Sequence, residues 1–337
     1  MKLRYIDKLL AVDNHTLNKT QEESIRMKAL ILNSGLGSRM GVLTSEHPKC
    51  MTDISSKDTI LSRQLKILVK HGIKEVIMTT GLFDSVLINY CNSLELPINF
   101  TFVNNPLYKE TNYIYSIYCA RQYLDDDIIL MHGDLVFENE VFNSVMEFNG
   151  SCVTVSSTLD LPQKDFKAVV DNGFATKIGI EFFNNAMASQ PLYKLMRSDW
   201  KVWLSKIIEF CENSNKRTKK VYSIVLVVKF TFDNCFINCL DIKNLLCSEI
   251  DNPEDLIIIS SKLKEIENRT VYMCFSTDIL HSGHIEIIRK ASNLGKLIIG
   301  VLSDEAVCSF KRMPLLPFEE RKAMLENILL WFLFNSS

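Results

Sequence analysis

The stretch MKALILNSGLGSRMG, residues 27–41, decides the fold. Its first half, Met27–Leu32, is a short and mainly apolar run, and its second half contains three glycines, at positions 35, 37 and 41. A short apolar run that stops at glycine is typical of a buried strand leading into a tight loop. Because glycine lacks a Cβ atom, backbone N–H groups in such a loop can approach phosphate oxygens closely. The stretch therefore predicts a first β-strand followed by a loop suited to a phosphorylated ligand.

The sequence of the loop alone does not identify its ligand. A P-loop would end in Gly-Lys-Ser/Thr, which is absent here. A Rossmann dinucleotide loop requires GxGxxG and an acidic residue closing the second strand. This loop has the spacing GxGxxxG, and the second predicted strand closes with Thr79, Thr80 and Gly81. A tight turn without a ligand also remains an alternative.

Outward from the loop, apolar runs and helical patterns alternate four times. The predicted strands are 27–32, 75–80, 98–103 and 127–132, and the predicted helices are 61–71, 83–94 and 112–123, the last capped by Thr111. Further strands are predicted at 152–156 and 167–170, and a helix at 198–212. Such alternation predicts an α/β fold with a Rossmann-like, doubly wound, mostly parallel sheet.

The chain of 337 residues is long enough for two domains. Residues 1–26 are polar and mixed and form an N-terminal extension. Residues 27–268 form the first domain, which ends in a helix that begins near Asp251. Residues 269–337 begin a second α/β unit that is too short for a complete parallel-sheet domain.

Composition excludes several classes of function. Hydrophobic residues make up 47% of the chain and the net charge is −2, so no basic surface for nucleic acid is expected. No apolar run approaches the roughly 20 residues that span a bilayer. Ten cysteines occur without a CxxC pair, and the N-terminus lacks the apolar core of a signal peptide. These features predict a cytoplasmic protein with reduced, buried thiols.

Two cations follow the first strand and suit a triphosphate. Arg39 closes the glycine-rich loop, and Lys49 follows a proline ten residues later. An arginine can grip terminal phosphates with its forked guanidinium, and a lysine can act as a point charge near the α-phosphate. Taken singly, each could equally be an ordinary surface cation.

Two carboxylates are candidate magnesium ligands. Asp134 follows the fourth predicted strand in the sequence His132-Gly-Asp134, and the carboxyl end of a parallel strand points into the ligand crevice. Asp251 lies in the sequence EIDNPEDL, residues 249–256. Mg²⁺ prefers carboxylate and phosphate oxygens. Asp134 could instead be a turn residue, and Asp251 could be a plain helix N-cap.

Taken in order, these residues resemble one family. The sequence LNSGLGSR with Pro48-Lys49 resembles the GxGxR…PK signature of the nucleoside-triphosphate transferases, and the segments at 132–134 and 251–256 resemble that family's two metal-binding segments. The resemblance implies the nucleotide-diphospho-sugar transferase type of sheet. It also implies catalytic roles for Lys49 and Arg39 and metal binding by Asp134 and Asp251. The implied nucleotide-binding residues are Leu32, Ser34, Gly35, Gly37, Ser38, Thr80 and Ser116.

Further stretches narrow the resemblance. Residues 105–108, 111–118 and 190–195 look like the branch that contains 2-aminoethylphosphonate cytidylyltransferase. Residues 275–285, with His281 and His284, resemble the HxGH motif of the cytidylyltransferase-like superfamily, as found before phosphoenolpyruvate phosphomutase in fused proteins. In an intact domain, the two histidines would bind phosphate at a helix start.

The resemblance implies a Mg²⁺-dependent transfer of CMP from CTP to 2-aminoethylphosphonate, with release of pyrophosphate. Phosphocholine or a sugar 1-phosphate is an alternative acceptor. A catalytically dead nucleotide-binding remnant is an alternative of another class, because residues 222–230 are mainly apolar within a stretch, 222–234, where a polar, acidic substrate-binding segment is expected. The expected partners are CTP and a small phosphonate or phosphate, without nucleic acid or membrane, and homo-oligomerisation stays open.

Overall fold

The computed structural model describes residues 27–212, 235–276 and 278–335. Two features discussed above therefore lie outside the described residues: the N-terminal extension and the segment 222–234 with its apolar run.

Within the described residues, nine strands form the main sheet, and four more form two small ribbons. The strands are β1 Met27–Leu32, β2 Glu75–Thr80, β3 Asn99–Asn104, β4 Asp127–His132, β5 Leu135–Phe137, β6 Cys152–Ser156, β7 Lys167–Asp171, β8 Phe174–Gly179, β9 Ala186–Leu195, β10 Asn238–Asp241, β11 Cys247–Glu249, β12 Thr270–Phe275 and β13 Lys296–Val301. The main sheet has the order β3-β2-β1-β4-β9-β6-β10-β8-β7, and β11 pairs with β5 and β12 with β13.

The first four strands of the main sheet run parallel, as the alternating pattern predicts. Leu32 at the end of β1 lies opposite Thr79 of β2 and His132 of β4. The carboxyl ends of these strands therefore meet at one edge, which is where ligands bind in open α/β sheets. The α/β nucleotide-diphospho-sugar transferase fold expected from the sequence is confirmed.

Beyond β4 the sheet is mixed. Strand β9 runs antiparallel to both β4 and β6, whereas β10 runs parallel to β6. The expected parallel character therefore holds for one half of the sheet only. Strand direction depends on how the chain returns to the sheet, and the local apolar pattern of a strand does not encode that path.

Helices cover both faces of the sheet. The helices are α1 Ile60–Lys70, α2 Asp84–Ser93, α3 Tyr113–Ala120, α4 Asn139–Glu147, α5 Arg197–Glu212, α6 Pro253–Asn268, α7 Ser282–Asn293, α8 Asp304–Cys308 and α9 Phe318–Asn335. Short 3₁₀ turns occupy Ser38–Thr44, Lys49–Met51 and Arg121–Tyr123. The cap of α3 is Asn112, whose Oδ1 accepts a hydrogen bond from the Ile114 N–H, and the expectation of a Thr111 cap is wrong by one residue.

Alternate side chains of β1 point to opposite faces of the sheet and pack into two separate apolar cores. Ala29 and Ile31 pack in the apolar cluster that contains the buried leucines of α1, whereas Leu30 and Leu32 pack with Trp200 in the cluster on the other face. Successive side chains of a strand point to opposite faces, so a strand covered by helices on both sides must be apolar throughout. This requirement explains why β1 is apolar at every position except Lys28 near its start.

The second unit begins directly after α6. Strands β12 and β13 pair in parallel and are joined by α7, and a small core forms around Phe275, Ile288 and Leu325. None of the helices in the described ranges is both long and apolar enough to cross a lipid bilayer. All ten cysteines lie in the described ranges, and each is a free thiol.

Candidate active site

The glycine-rich loop leaves β1 at the edge where the parallel strands end. Gly37 and Gly41 have positive φ angles of 62° and 59°, which glycine adopts without strain. A Cβ atom at position 37 would lie 3.3 Å from Lys49 Cβ, so Gly37 lets the loop lie directly against Lys49. A Cβ atom at Gly35 would meet nothing within 4 Å. Gly35 lines the cavity beside this loop and therefore has an open side that a ligand can approach.

The two predicted cations and the two predicted carboxylates converge beside this loop. Lys49 Nζ lies 2.6 Å from Asp134 Oδ2 and 2.9 Å from Asp251 Oδ1. The Nη2 atom of Arg39 lies 2.9 Å from the same Asp251 oxygen. The Lys49 side chain is largely enclosed, at 13% exposure, whereas that of Arg39 is 66% exposed and can swing toward a ligand.

A small ribbon brings the carboxylates together across the sequence. Asp134 lies in the turn between β4 and β5, and Asp251 follows β11. Strands β5 and β11 pair antiparallel with Leu135 opposite Glu249, and the Ile250 N–H donates to the Asp134 carbonyl at 3.0 Å. This pairing sets the spacing of the two carboxylates.

The alternative role for Asp251 as a helix cap is excluded. The cap of α6 is Asn252, whose side chain accepts a hydrogen bond from the Asp255 N–H at 2.9 Å. The Asp255 carboxylate in turn accepts from the Asn252 N–H at 3.2 Å, which completes a capping box. The Asp251 carboxylate is therefore free of the helix and faces Lys49 and Arg39.

A third acidic residue, Glu249, lies beside Asp134. Glu249 Oε1 lies 2.7 Å from His132 Nδ1, and ligand atoms of Glu249, His132 and Asp134 all lie within 4.8 Å of one another. Burial and the neighbouring Asp134 raise the pKa of Glu249 to about 7. Burial alone would lower the pKa of His132, but the Glu249 carboxylate outweighs it and raises that pKa.

Glu249 was missed as a site residue by the sequence reasoning. Its signal was available, because it stands two residues before Asp251 at a strand end. Alternate residues of an extended segment share a face, so a carboxylate at position 249 should point with the one at position 251.

Electrostatics keep the central ion pairs charged. Burial alone would lower the pKa of Lys49, but Asp134 and then Asp251 outweigh that effect and raise it. Burial alone would raise the pKa of Asp134, yet the adjacent Lys49 ammonium holds it below its ordinary value. Asp134 is therefore a carboxylate at neutral pH, the form that a metal ion requires.

These groups line a cavity of about 410 Å³. Five of the predicted nucleotide-binding residues meet at this cavity or at a neighbouring hollow of about 210 Å³; they are Leu32, Ser34, Gly35, Gly37 and Ser38. The smaller hollow is also lined by Thr111 and Asn112, and Leu32 and Gly35 line both spaces. Together, the two spaces offer adjoining places for a base and for phosphates.

Ser116 and Thr80 lie behind the cavity wall. Ser116 is fully buried, and its Oγ lies 2.5 Å from Ser34 Oγ and 3.0 Å from the donating Asn105 Nδ2. Thr80 is also buried, and its hydroxyl donates to the Asp84 carboxylate. Ser116 thus orients Ser34, and neither Ser116 nor Thr80 lines the two spaces.

The wall opposite the loop comes from residues that the sequence did not single out. Lys164, Asp165 and Phe166 line the larger cavity, and Tyr113 packs against the His132 ring at 5.0 Å. The fully buried Lys167 donates from Nζ to the Pro162 carbonyl at 2.5 Å and to the Asp165 carbonyl at 3.0 Å. This lysine holds the 162–165 loop in place. The fold of that loop is a tertiary feature without a local sequence signal.

The donor set fits a hard divalent cation. Carboxylates of Asp134, Glu249 and Asp251 line one cavity, and the Lys49 ammonium already lies between two of them. Mg²⁺ is held in many phosphate-transfer sites by one or two carboxylates together with substrate oxygens. Asp134 and Asp251 are the residues that could hold such an ion.

The histidine pair of the second unit forms separately. His281 is the cap of α7 and its Nδ1 accepts from the Gly283 N–H at 3.1 Å. The rings of His281 and His284 lie 4.0 Å apart between centroids. Burial, followed by the neighbouring His281, lowers the pKa of His284. The pair stands at a helix start as expected, in the unit built on β12 and β13.

Two segments of the chain match known families. Residues 29–163 match the MobA-like NTP transferase domain, and residues 274–332 match the cytidylyltransferase-like family. Curated relatives include the CTP:phosphoglutamine cytidylyltransferase of Campylobacter jejuni, 32% identical over 117 residues, which are 33% of this chain and 45% of that protein. The CMP-5'-(3-aminopropyl)phosphonate synthase of Streptomyces rubellomurinus is 32% identical over 119 residues, which are 35% of this chain and 19% of that protein. The chain thus spans less than half the length of these two relatives.

Solved structures share the fold. The CTP:phosphocholine cytidylyltransferase of Streptococcus pneumoniae superposes with a TM-score of 0.56 at 18% identity, covering 71% of this chain and all of that one. The inositol-1-phosphate CTP transferase of T. maritima gives a TM-score of 0.56 at 22% identity, covering 72% of this chain and 97% of that one.

Proposed function

Because the chain contains a MobA-like NTP transferase domain followed by a cytidylyltransferase-like one, we propose that residues 27–268 act as a cytidylyltransferase. The reaction transfers CMP from CTP to a small phosphonate, 2-aminoethylphosphonate, and releases pyrophosphate. The observation that carries the proposal is the convergence of Arg39, Lys49, Asp134 and Asp251 on one cavity beside the glycine-rich loop. The named relatives act on phosphoglutamine and on an aminopropylphosphonate, which supports an acceptor with a phosphoryl or phosphonyl group.

The chemistry needs positioning and charge neutralisation more than proton transfer. A phosphonate oxygen is ionised at neutral pH and is itself the nucleophile, so no general base is required. Catalysis then depends on holding the acceptor and the α-phosphate in line and on stabilising the charge of the leaving pyrophosphate.

The site residues have separate roles in the proposed CMP transfer. Backbone N–H groups near Gly35 and Gly37 cradle the phosphates, and the exposed Arg39 turns from Asp251 onto the departing pyrophosphate. Lys49 stabilises charge on the α-phosphate. Asp134 and Asp251 would hold Mg²⁺, which when bound would supply neutralisation of the phosphate charge.

The test is pyrophosphate release with Mg²⁺ and CTP. 2-Aminoethylphosphonate, phosphocholine and glucose 1-phosphate are offered in parallel to the full chain. Release with 2-aminoethylphosphonate alone supports the proposal, and release with another acceptor reassigns the substrate. If a folded protein that binds CTP released no pyrophosphate with any of the three acceptors, the result would support a nucleotide-binding remnant without catalytic activity instead. We also propose a cytoplasmic location, which the ten free thiols support.

A further inference from the structure

Gln64 is a polar residue in the middle of an apolar helix face. It belongs to α1, where Leu61, Leu65 and Leu68 are fully buried in the core, and its own exposure is only 2%. Burial of an amide without hydrogen-bond partners is unfavourable, so a leucine or methionine would be the simpler occupant. The partners of Gln64 should therefore explain its presence.

Both donor protons of the amide are directed at one turn. Gln64 Nε2 donates to the His132 carbonyl at 2.9 Å and to the Leu135 carbonyl at 2.8 Å. These two carbonyls stand immediately before and after Gly133 and Asp134. A single side chain thus ties together both ends of the turn that presents the Asp134 carboxylate.

The same turn is coupled to the second carboxylate. The Asp134 carbonyl accepts from the Ile250 N–H, and Leu135 pairs with Glu249 in the ribbon. A displacement of Leu135 would therefore move Asp251 relative to Asp134. In contrast, the Oε1 atom of Gln64 is buried without a hydrogen-bond partner among the described residues. An unpaired acceptor does not favour stability, so the two donated bonds are the useful part of this side chain.

We infer that Gln64 is a positioning residue for the metal-binding carboxylates. Its amide sets the geometry of Asp134 directly and that of Asp251 through the β5–β11 ribbon, without touching substrate. The inference rests on the proposed function in one respect, namely that these carboxylates bind a divalent cation.

The test replaces Gln64 in the full chain and measures metal binding without turnover. Gln64→Met keeps the length and volume of the side chain and removes both donors. Binding of Mn²⁺, followed by electron paramagnetic resonance without substrate, is expected to weaken roughly 10- to 100-fold, the usual effect of losing a group that orients a ligand. CTP binding in the absence of metal should be unchanged. Gln64→Asn, too short to reach both carbonyls, is a second variant and should also weaken Mn²⁺ binding.

Leu68→Ala is the matched control. It removes a fully buried side chain from the same helix, and it should lower Tm while leaving Mn²⁺ affinity as in the wild type. Wild-type Mn²⁺ affinity in folded Gln64→Met would overturn the inference, as would an equal loss of affinity in Leu68→Ala. A wild-type protein that binds Mn²⁺ but releases no pyrophosphate would count against the proposed function alone, because the effect of Gln64 is read from binding.

Discussion

Lys49 occupies the place between Asp134 and Asp251, with its ammonium nitrogen 2.6 Å from one carboxylate and 2.9 Å from the other. The lysine therefore neutralises the same oxygens that would hold a metal ion. Binding of a metal together with a nucleotide would release the ammonium from these carboxylates and make it available for the α-phosphate. The proposed catalytic cation and the proposed metal ligands are thus electrostatically linked.

Replacing Lys49 should separate metal binding from turnover. Lys49→Met removes the cation that competes for the two carboxylates, so Mn²⁺ binding without nucleotide should tighten about tenfold, equivalent to about 1.4 kcal/mol. Pyrophosphate release should fall at least about 100-fold because charge stabilisation at the α-phosphate is lost. Lys66→Met, at a half-exposed lysine paired with Asp58, is the control. Weaker metal binding or wild-type turnover in the Lys49 variant would contradict this linkage.

The two aspartates at the start of α6 should behave differently. Asp251→Asn should weaken Mn²⁺ binding with little change in Tm, because its carboxylate faces the cavity. Asp255→Asn should lower stability by about 1 kcal/mol and weaken metal binding less than Asp251→Asn does, since this carboxylate accepts from the Asp251 and Asn252 N–H groups and does not line the cavity. Metal titration and thermal unfolding of both variants make the comparison. If both variants lost the same metal affinity and the same thermal stability, the two aspartates would not have different roles.

Adding a methyl group should affect stability at one glycine, Gly133, and ligand binding at another, Gly35. A Cβ atom at Gly133 would lie 1.5 Å from Asn33 Oδ1, so Gly133→Ala should lower stability by about 1–3 kcal/mol. Adding Asn33→Ala should restore part of that loss, because it removes the clashing atom. Gly35→Ala meets nothing within 4 Å and should leave Tm unchanged while weakening CTP binding. Differential scanning calorimetry and CTP titration distinguish these outcomes, and a stable Gly133→Ala protein would refute the close approach.

Stability should fall in mild acid through His71. Burial lowers the pKa of this histidine to about 4, and its ring packs edge-on against Phe142. The unfolded chain, with a histidine pKa near the ordinary ~6.5, binds more protons between these values, so stability is retained above about pH 6.5 and lost as pH falls toward 4. After allowance for solvent screening, the loss should be about 1–2 kcal/mol.

The measurement is urea unfolding between pH 4 and 7. His71→Gln should flatten the curve in this window relative to the wild type. A wild-type slope in the His71 variant would show that another group causes the acid sensitivity.

The sequence by itself determined the local features. The apolar run 27–32 with its glycine-rich exit predicted β1 and the loop, because a strand covered on both faces must be apolar and a tight loop needs glycine. Repeated alternation predicted the α/β fold. The ordered motifs named Arg39, Lys49, Asp134 and Asp251, which the structure brings together.

Tertiary structure alone decided what depends on distant contacts. The antiparallel half of the sheet follows from chain return paths, which local patterns do not encode. Ser116 supports Ser34 from behind the wall across 82 positions of sequence, and Glu249 meets His132 across 117. Each of these outcomes is a hydrogen bond or packing contact between residues that folding brings into register, so it depends on the path of the whole chain rather than on any one segment.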